Sequence, residues 1–233
     1  MKYIIGTGWW CDGTGIHTHS KHQKTVDKET RQKDFFNLWY AAIKKFTTPQ
    51  KIIIIDSNSP VKPDISEKEV ILYSLDKNYG ASLDGTTNKQ LSGWDRSILL
   101  SASMAFFEDI DYFIYIEQDC LIYGNGIIEN AIKNMGKSQI MLGSGKNTPQ
   151  PIQQSFVIIK KDFIPTFLNI ETSLNTTQLT IDSEKRYAEE FKKYYSFLPF
   201  GFGRQRPINY NDKNFYAQHL NTEELKNFKK ILK

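Results

Sequence analysis

The chain has 233 residues, of which 39% are hydrophobic and 24% are charged, and its net charge is +4. These values are typical of a soluble globular protein with one sizeable core. No shift in composition marks a linker, so we interpret residues 1–233 as a single domain. The small basic excess fits an anionic small molecule or a membrane surface, and we expect no nucleic-acid partner.

The two cysteines bear on the compartment. Cys11 and Cys120 are too few for a disulfide framework and suit a reducing environment. No apolar run approaches the length of a transmembrane span, and the apolar start of the chain is shorter than a signal peptide. We therefore expect a cytoplasmic protein, either freely soluble or peripheral at a membrane.

The first half of the sequence predicts alternating strands and helices. Apolar runs predict strands at residues 3–10, 51–56, 70–75 and 112–116. Apolar residues at helical spacing predict helices at 34–46, capped by Asp34, and at 94–109. Polar segments at 11–33 and 80–93 predict loops.

The second half predicts shorter elements. They are helices at 126–135, 163–170, 182–195 and 223–233, strands at 139–142 and 155–159, and a glycine-rich loop at 198–207. This order predicts an α/β fold with a mixed, mostly parallel sheet flanked by helices. Right-handed crossovers would place the strand ends after Thr7, Asp56, Leu75 and Asp119 along one edge of the sheet.

Two carboxylates follow the most apolar strand. Glu117 and Asp119 are two residues apart, so both would point to the same side of an extended chain. Carboxylates at the carboxyl edge of an α/β sheet border the ligand crevice, and Mg²⁺ and Mn²⁺ prefer such oxygen ligands. The alternative is a strand end with two solvated acids.

With these residues the chain resembles the GT-A nucleotide-sugar glycosyltransferases. The resemblance covers residues 1–145 and is carried by Thr7, Asp56, Arg96 and the DxD-type motif Glu117-Gln118-Asp119, whose first position is Glu rather than Asp. It implies a Rossmann-like GT-A sheet with a nucleotide-binding half over about 1–123 and an acceptor-binding half over about 124–233. It also implies Mn²⁺ or Mg²⁺ as the cofactor.

The resemblance assigns roles in the first half. Asp119 would bind the metal, and Glu117 would bind the metal or the ribose. A set of four residues would bind the rest of the nucleotide sugar: Asp56 the base, Thr7 and Gly8 the same slot, and Arg96 the phosphates. Trp9 and Trp10 would stack on the base or the acceptor, or belong to the core.

The second half offers groups for catalysis and for the diphosphate. Asp182 or Glu184 could remove the acceptor proton in an inverting transfer, or simply cap a helix. Arg204 and Arg206, in the glycine-rich loop, suit bidentate binding of phosphate, although such arginines are often only solvated. His219 resembles the C-terminal metal ligand of some GT-A enzymes, with a core histidine as the alternative.

Other classes of protein compete with this interpretation. His17, His19 and His22 resemble the first metal motif of PHP-type phosphoesterases, but only His219 remains to supply a later ligand. A nucleotidyltransferase would also use the acids at the strand ends. Its glycine-rich basic triphosphate loop is missing, because no Lys or Arg follows Trp10 for ten residues. A sugar-binding module would explain the aromatic residues but not the acids.

The last predicted helix has an apolar side and a lysine-rich side. This pattern is typical of a closing helix, and it is also typical of an interfacial helix that gives peripheral contact with anionic lipid. Taken together, the sequence predicts a metal-dependent glycosyltransferase. It would move a sugar from a UDP- or GDP-type donor to a hydroxyl acceptor such as a glycan.

Overall fold

The computed structural model describes residues 1–14, 28–66, 68–80 and 90–233. Within these ranges it contains ten strands, which are β1 (Tyr3–Trp9), β2 (Lys51–Asp56), β3 (Val70–Ser74), β4 (Tyr112–Ile116), β5 (Cys120–Tyr123), β6 (Ile140–Ser144), β7 (Ile152–Lys160), β8 (Tyr195–Phe197), β9 (Phe202–Gly203) and β10 (Phe215–Gln218). The same ranges contain seven α-helices, which are α1 (Lys33–Phe46), α2 (Gly93–Phe106), α3 (Ile127–Lys133), α4 (Ile164–Thr172), α5 (Thr176–Leu179), α6 (Ser183–Glu190) and α7 (Thr222–Leu232).

The main sheet has seven strands in the order β3-β2-β1-β4-β7-β6-β8. Strands β1 to β4 are parallel to one another, β7 is antiparallel to β4 and β6, and β8 is parallel to β6. The predicted fold class is confirmed. The carboxyl ends of β1 to β4 share one edge, and β7 begins at that edge because it runs opposite to β4.

A second, smaller sheet was not predicted. Its three strands have the order β5-β10-β9, with β10 antiparallel to β5. The chain leaves the main sheet through a turn after β4, in which the Cys120 N–H donates to the Glu117 carbonyl at 3.0 Å. The expectation that Glu117 and Asp119 share a side through strand alternation is therefore wrong, because a turn and not an extended chain connects them.

Glycines in β1 let α2 lie close against the sheet. A Cβ atom on Gly6 would be 2.5 Å from Ser101 Oγ, and one on Gly8 would be 2.8 Å from Ser97 Oγ. The two serines are four residues apart and so lie on one side of α2. Small residues on both elements set the distance between the central strand and this helix.

Helices cover both faces of the main sheet. One core cluster joins α1 and α7 to the sheet and includes Trp9, Trp39 and Phe228, while the other joins α2, α4 and α6 and includes Ile98 and Phe167. The residues inside each cluster are almost fully buried. The burial of β1, β2 and β4 on both faces explains why these strands are continuous apolar runs.

A buried ion triad ties three helices together. Arg186 of α6 donates to Asp95 of α2 at 2.5 Å and to Glu171 of α4 at 2.9 Å, and all three side chains are at most 2% exposed. Burial raises the pKa of Glu171 to about 7, against the effect of Arg186. Asp95 also forms a capping box with Ser92 at the start of α2.

Several predicted boundaries need correction. Asp34 does not cap α1, because the helix begins at Lys33 and its cap residue is Gln32, which makes no side-chain cap bond. Asp182 does cap α6, as predicted, by accepting from the Glu184 N–H at 3.0 Å. The helix predicted at 182–195 is too long, since α6 ends at Glu190 and Tyr195 begins β8.

The C-terminal helix α7 buries its apolar side inside the protein. Leu225 and Phe228 are 1% and 0% exposed, and the Phe228 ring contacts Phe215 of the small sheet. This packing agrees with a closing helix. Within the described ranges, none of the helices is long and apolar enough to cross a membrane.

We expect Gly6→Ala to destabilise the fold by about 1–3 kcal/mol, as overpacked core substitutions do. The new methyl group would meet Ser101 Oγ at 2.5 Å and the Phe113 ring at 2.8 Å, so α2 would have to move. Urea denaturation measures the change. Gly201→Ala is the control, because its nearest atom is a side-chain oxygen of Gln205 at 3.3 Å. Equal stability of the two variants would contradict the close packing of α2 on β1.

Candidate active site

The turn after β4 holds two carboxylates around one amide group. Gln218 Nε2 donates to Glu117 Oε2 at 2.6 Å and to Asp119 Oδ1 at 3.1 Å. Asp119 is fully buried, and Gln218 is 5% exposed. The contact joins parts of the chain about a hundred residues apart, because β10 pairs with β5 and places Gln218 opposite Cys120.

His219 lies beside the Asp119 carboxylate, and its role as a metal ligand remains a prediction. Its Nε2 atom is 3.5 Å from Asp119 Oδ2, and its side chain is 34% exposed. The backbone of His219 has a φ of +53°, in the left-handed region that few residues other than glycine adopt. The imidazole is thus partly accessible, whereas the Asp119 carboxylate beside it is buried.

Arg206 has a different role from the predicted one. Its guanidinium donates to the carbonyls of Gly203 and Gln205 at 3.0 and 2.8 Å, and to those of Gln218 and His219 at 2.9 and 3.1 Å. The Nε atom, which carries the fifth N–H, is 2.5 Å from Glu224 Oε1. An arginine has five N–H donors, so a contact with diphosphate would require breaking one of these bonds. Arg206 instead clamps the turn that carries Gln218 and His219.

Gln118, the middle residue of the motif, fixes the end of β1. Its Oε1 accepts from the Trp10 N–H at 2.5 Å, and its Nε2 donates to the Trp10 carbonyl at 2.9 Å. Both main-chain groups of Trp10 are therefore held by one amide. As a result, the segment after β1 is bound directly to the turn that carries the two carboxylates.

Asp56 is buried at the end of β2, inside a set of donors. Its Oδ1 accepts from the Ser59 N–H at 3.0 Å, and its Oδ2 accepts from Ser74 Oγ at 2.8 Å and from Lys62. Burial alone would raise the pKa of Asp56, but the bonds from Lys62, Ser59 and Ser74 outweigh it, and the pKa is lowered. These bonds give Asp56 a structural role in the turn after β2. Its contact with a base remains a prediction.

The other predicted nucleotide ligands of the first half lie nearby. Thr7 is 1% exposed, and Gly8 faces α2. Arg96, in the first turns of α2, donates to the Leu91 carbonyl at 3.1 Å, and its guanidinium carbon is 3.6 Å from the centre of the Tyr79 ring. Trp9 is a core residue, since it is 3% exposed and donates to the Val61 carbonyl. Trp9 is thus unavailable for stacking on a ligand.

Asp182, Glu184 and Arg204 form a second polar group at this edge of the sheet. Arg204 Nη2 donates to Glu184 Oε1 at 2.6 Å. Burial, followed by the neighbouring Asp182, raises the pKa of Glu184 to about 7, and Arg204 opposes the shift. The main-chain N–H of Arg204 also donates to Oε1 of Gln153, at the start of β7, at 2.6 Å. The sequence suggested a base and a phosphate ligand separately, and the fold pairs them.

The residues around the turn fit a hard divalent ion of the kind bound with nucleotides. Within the described part of the chain, no group of three or more His, Cys, Asp and Glu side chains is arranged to hold a metal ion. Mg²⁺ at nucleotide sites needs only one or two carboxylates, because substrate phosphates and water complete its shell. Glu117 and Asp119 supply two carboxylates that already share one donor, Gln218. The competing cluster of His17, His19 and His22 lies outside the described residues.

Sequence reasoning missed the amides that organise this site. Gln118, Gln153 and Gln218 each bridge two segments of the chain. The only local signals were the position of Gln118 between two acids and that of Gln218 beside His219. Neutral amides carry no charge pattern, so their partners become visible only in the folded chain.

Comparison of structures finds similar folds where comparison of sequences finds no match. No protein-family model matches it, and no curated protein matches it in sequence. Its structure is similar to that of the inositol-1-phosphate CTP transferase from T. maritima, with a TM-score of 0.55 and 11% identity over 99% of this chain and 96% of that one.

Two further solved structures are similar over part of their length. The apo-form glycosyltransferase GlyE of Streptococcus pneumoniae gives a TM-score of 0.50 at 11% identity, covering 84% of this chain and 44% of that one. TarS of S. aureus gives 0.51 at 8% identity, covering 100% of this chain and 39% of that one. These likenesses show a shared fold, the GT-A-like fold of nucleotidyl- and glycosyltransferases.

We expect Arg206→Met to destabilise the protein more than Arg204→Met. Arg206 makes five bonds, of which three join the 203–206 loop to the 218–219 turn and to α7, whereas the Arg204 side chain makes one ion pair. At about 0.5–1.5 kcal/mol net per bond, the loss at Arg206 should exceed about 2 kcal/mol. Urea denaturation of both variants measures the difference, and a smaller loss at Arg206 would contradict the clamp.

Proposed function

We propose that this protein is a metal-dependent glycosyltransferase of GT-A type. It would move a sugar from a nucleoside-diphosphate donor to a hydroxyl acceptor, with a glycan as the expected acceptor. One observation carries the proposal: Glu117 and Asp119 converge on one amide at the carboxyl edge of a mostly parallel sheet. That edge is where open α/β sheets bind their ligands.

The first half of the chain would bind the nucleotide. The ends of β1 and β2 and the start of α2 lie at the same edge as the motif, and they carry Thr7, Asp56 and Arg96. Arg96 is held by Tyr79 and the Leu91 carbonyl, so its guanidinium is oriented before a phosphate arrives. Orientation in advance reduces the entropy that is lost on binding.

Glu117 and Asp119 would hold Mn²⁺ or Mg²⁺, with His219 beside them. When bound, such an ion would neutralise the diphosphate and stabilise it as a leaving group. Gln218 holds the two carboxylates together through its amide. The two carboxylates would have to give up these bonds to the amide in order to hold a cation.

The second polar group would act on the acceptor. In an inverting transfer the acceptor oxygen bonds to the anomeric carbon, the bond from that carbon to the diphosphate oxygen breaks, and the diphosphate leaves with the electron pair. The acceptor proton passes to the carboxylate of Glu184 or Asp182. A pKa of about 7 suits Glu184 for this step, because a general base works best when its pKa is near the working pH.

A nucleotidyltransferase is the second candidate, because the fold is shared with a CTP transferase. Such an enzyme needs a basic loop for triphosphate after β1. Residues 10–14, which follow β1, contain no Lys or Arg, and the main chain of Trp10 is held by Gln118. This observation favours a diphosphate donor over a triphosphate.

We expect the protein to bind one nucleoside diphosphate, UDP or GDP, only when Mn²⁺ is present. Ligand at about 100-fold above its Kd stabilises the folded state by about 2.7 kcal/mol, which thermal unfolding detects. Asp119→Asn should lose this shift and all metal-dependent turnover, with an unchanged circular dichroism spectrum. Pyrophosphate release from a nucleoside triphosphate and a sugar phosphate would instead support the nucleotidyltransferase.

We expect the transfer rate to rise with pH, with a midpoint of about 7. The base must be deprotonated, and burial raises the pKa of Glu184 to about 7. Glu184→Gln should remove this limb and lower kcat by about 10²–10⁴-fold, the usual contribution of general base catalysis. Glu189→Gln is the control, since Glu189 is exposed on the same helix. If Glu184→Gln keeps the limb and Asp182→Asn removes it, the base is Asp182.

A further inference from the structure

One outer edge of the main sheet is formed by β3 and is apolar. Within the described ranges β3 pairs only with β2, along an unbroken register. Its five residues include no charge and no proline, the devices with which proteins usually block an exposed edge. Ile71 and Tyr73 are 38% and 53% exposed. Such an edge presents main-chain donors and acceptors to another strand.

The exposed side chains of β3 point to the face of the sheet that carries α2. Ile71 is in register with Ile53, and Tyr73 with Ile55, and residues in register point to the same face. Both Ile53 and Ile55 belong to the core cluster that contains α2. Ile71 and Tyr73 therefore continue this apolar face beyond the part that the helix covers.

One side of α2 extends the apolar surface. Leu100 and Phe107 are seven residues apart, so they lie on one side of the helix, and they are 37% and 84% exposed. Arg96 lies on the same side of the helix and stacks on Tyr79. Because Tyr79 follows β3 in the chain, this side of α2 faces β3. Of the seven large hydrophobic residues exposed in the described ranges, four are in this area: Ile71, Tyr73, Leu100 and Phe107.

We propose that β3 pairs antiparallel with β3 of a second copy of this chain, about a twofold axis at Leu72. The Leu75 N–H donates to the Asp56 carbonyl in β2. Because main-chain donors alternate along a strand, the N–H and C=O groups of the odd-numbered residues of β3 point to β2. The N–H and C=O of Leu72 then point outward. In an antiparallel pair centred there, the two Leu72 residues exchange their main-chain bonds, and the two sheets become one.

The side chains around Leu72 are self-complementary in this arrangement. Ile71 of each copy lies opposite Tyr73 of the other, at a non-hydrogen-bonded pair, where side chains approach most closely. Moving the axis by one residue to Ile71 would put Tyr73 opposite the charged Glu69. A second copy is therefore a partner whose main-chain groups and apolar residues fit this edge.

Cysteine pairing tests the register. We would mix the Ile71→Cys protein with a Tyr73→Cys protein enlarged by a fusion, and oxidise the mixture. The expected product is a disulfide between the two variants, because position 71 faces position 73 of the other copy and neither of these positions faces itself. Cys11 and Cys120 are buried and should not interfere. Equal crosslinking of each variant with itself would overturn the proposal.

Light scattering tests the dimer without any substitution at its centre. The mass of the unmodified protein should be twice 27.0 kDa. Tyr73→Lys should halve the mass, since it places a lysine opposite Ile71 at two symmetric positions. Phe197→Lys, at the 45% exposed Phe197 of the other outer strand β8, should leave the mass doubled. A monomeric unmodified protein, or a dimer lost only with Phe197→Lys, would overturn the proposal. Neither test depends on the proposed transferase activity.

Discussion

The buried carboxylate of Asp119 is the constraint on which the candidate site depends. A charged group removed from water is costly unless polar groups surround it, and Asp119 has no exposed surface. Gln218 and His219 come to it from the end of β10, and the pairing of β10 with β5 brings them there. Without the small sheet, the buried Asp119 carboxylate would lack these two neighbouring side chains. Arg206 also donates to the main-chain carbonyls of this turn.

The sequence predicts the local elements but not the contacts between residues that are far apart in the chain. The apolar runs of β1, β2 and β4 are buried on both faces, so their composition was enough to predict the parallel half of the sheet. The chain at 117–119 was expected to be extended, but it turns there, and the apolar residues that resume at Cys120 belong to another sheet. The amide of Gln218 carries no pattern that points to residues a hundred positions earlier.

Charged side chains show the same limit. Arg204 and Arg206 are two residues apart in one loop and have the same chemistry, so nothing in the sequence distinguishes their roles. In the fold, Arg204 pairs with Glu184, and Arg206 uses all its donors on main-chain carbonyls and Glu224. The difference arises from where the loop runs: β9 passes beside β10, and Gly203 lies opposite Ala217. The residue type predicts the charge of each side chain, whereas the strand pairing determines which groups each guanidinium binds.

The two polar groups of the site are joined through helices as well as through the small sheet. Arg186 of α6 binds Asp95, whose neighbour Arg96 would contact the phosphates, and α6 also begins with Asp182 and Glu184. Breaking one partner of a buried ion triad typically costs about 3–5 kcal/mol, so α2 and α6 should move as one unit. A twofold axis at β3 reverses the strand direction between the copies. The carboxyl edges of the two sheets would then face opposite ways, and each copy would keep a complete site, with the dimer contact on the far side of α2 from α6.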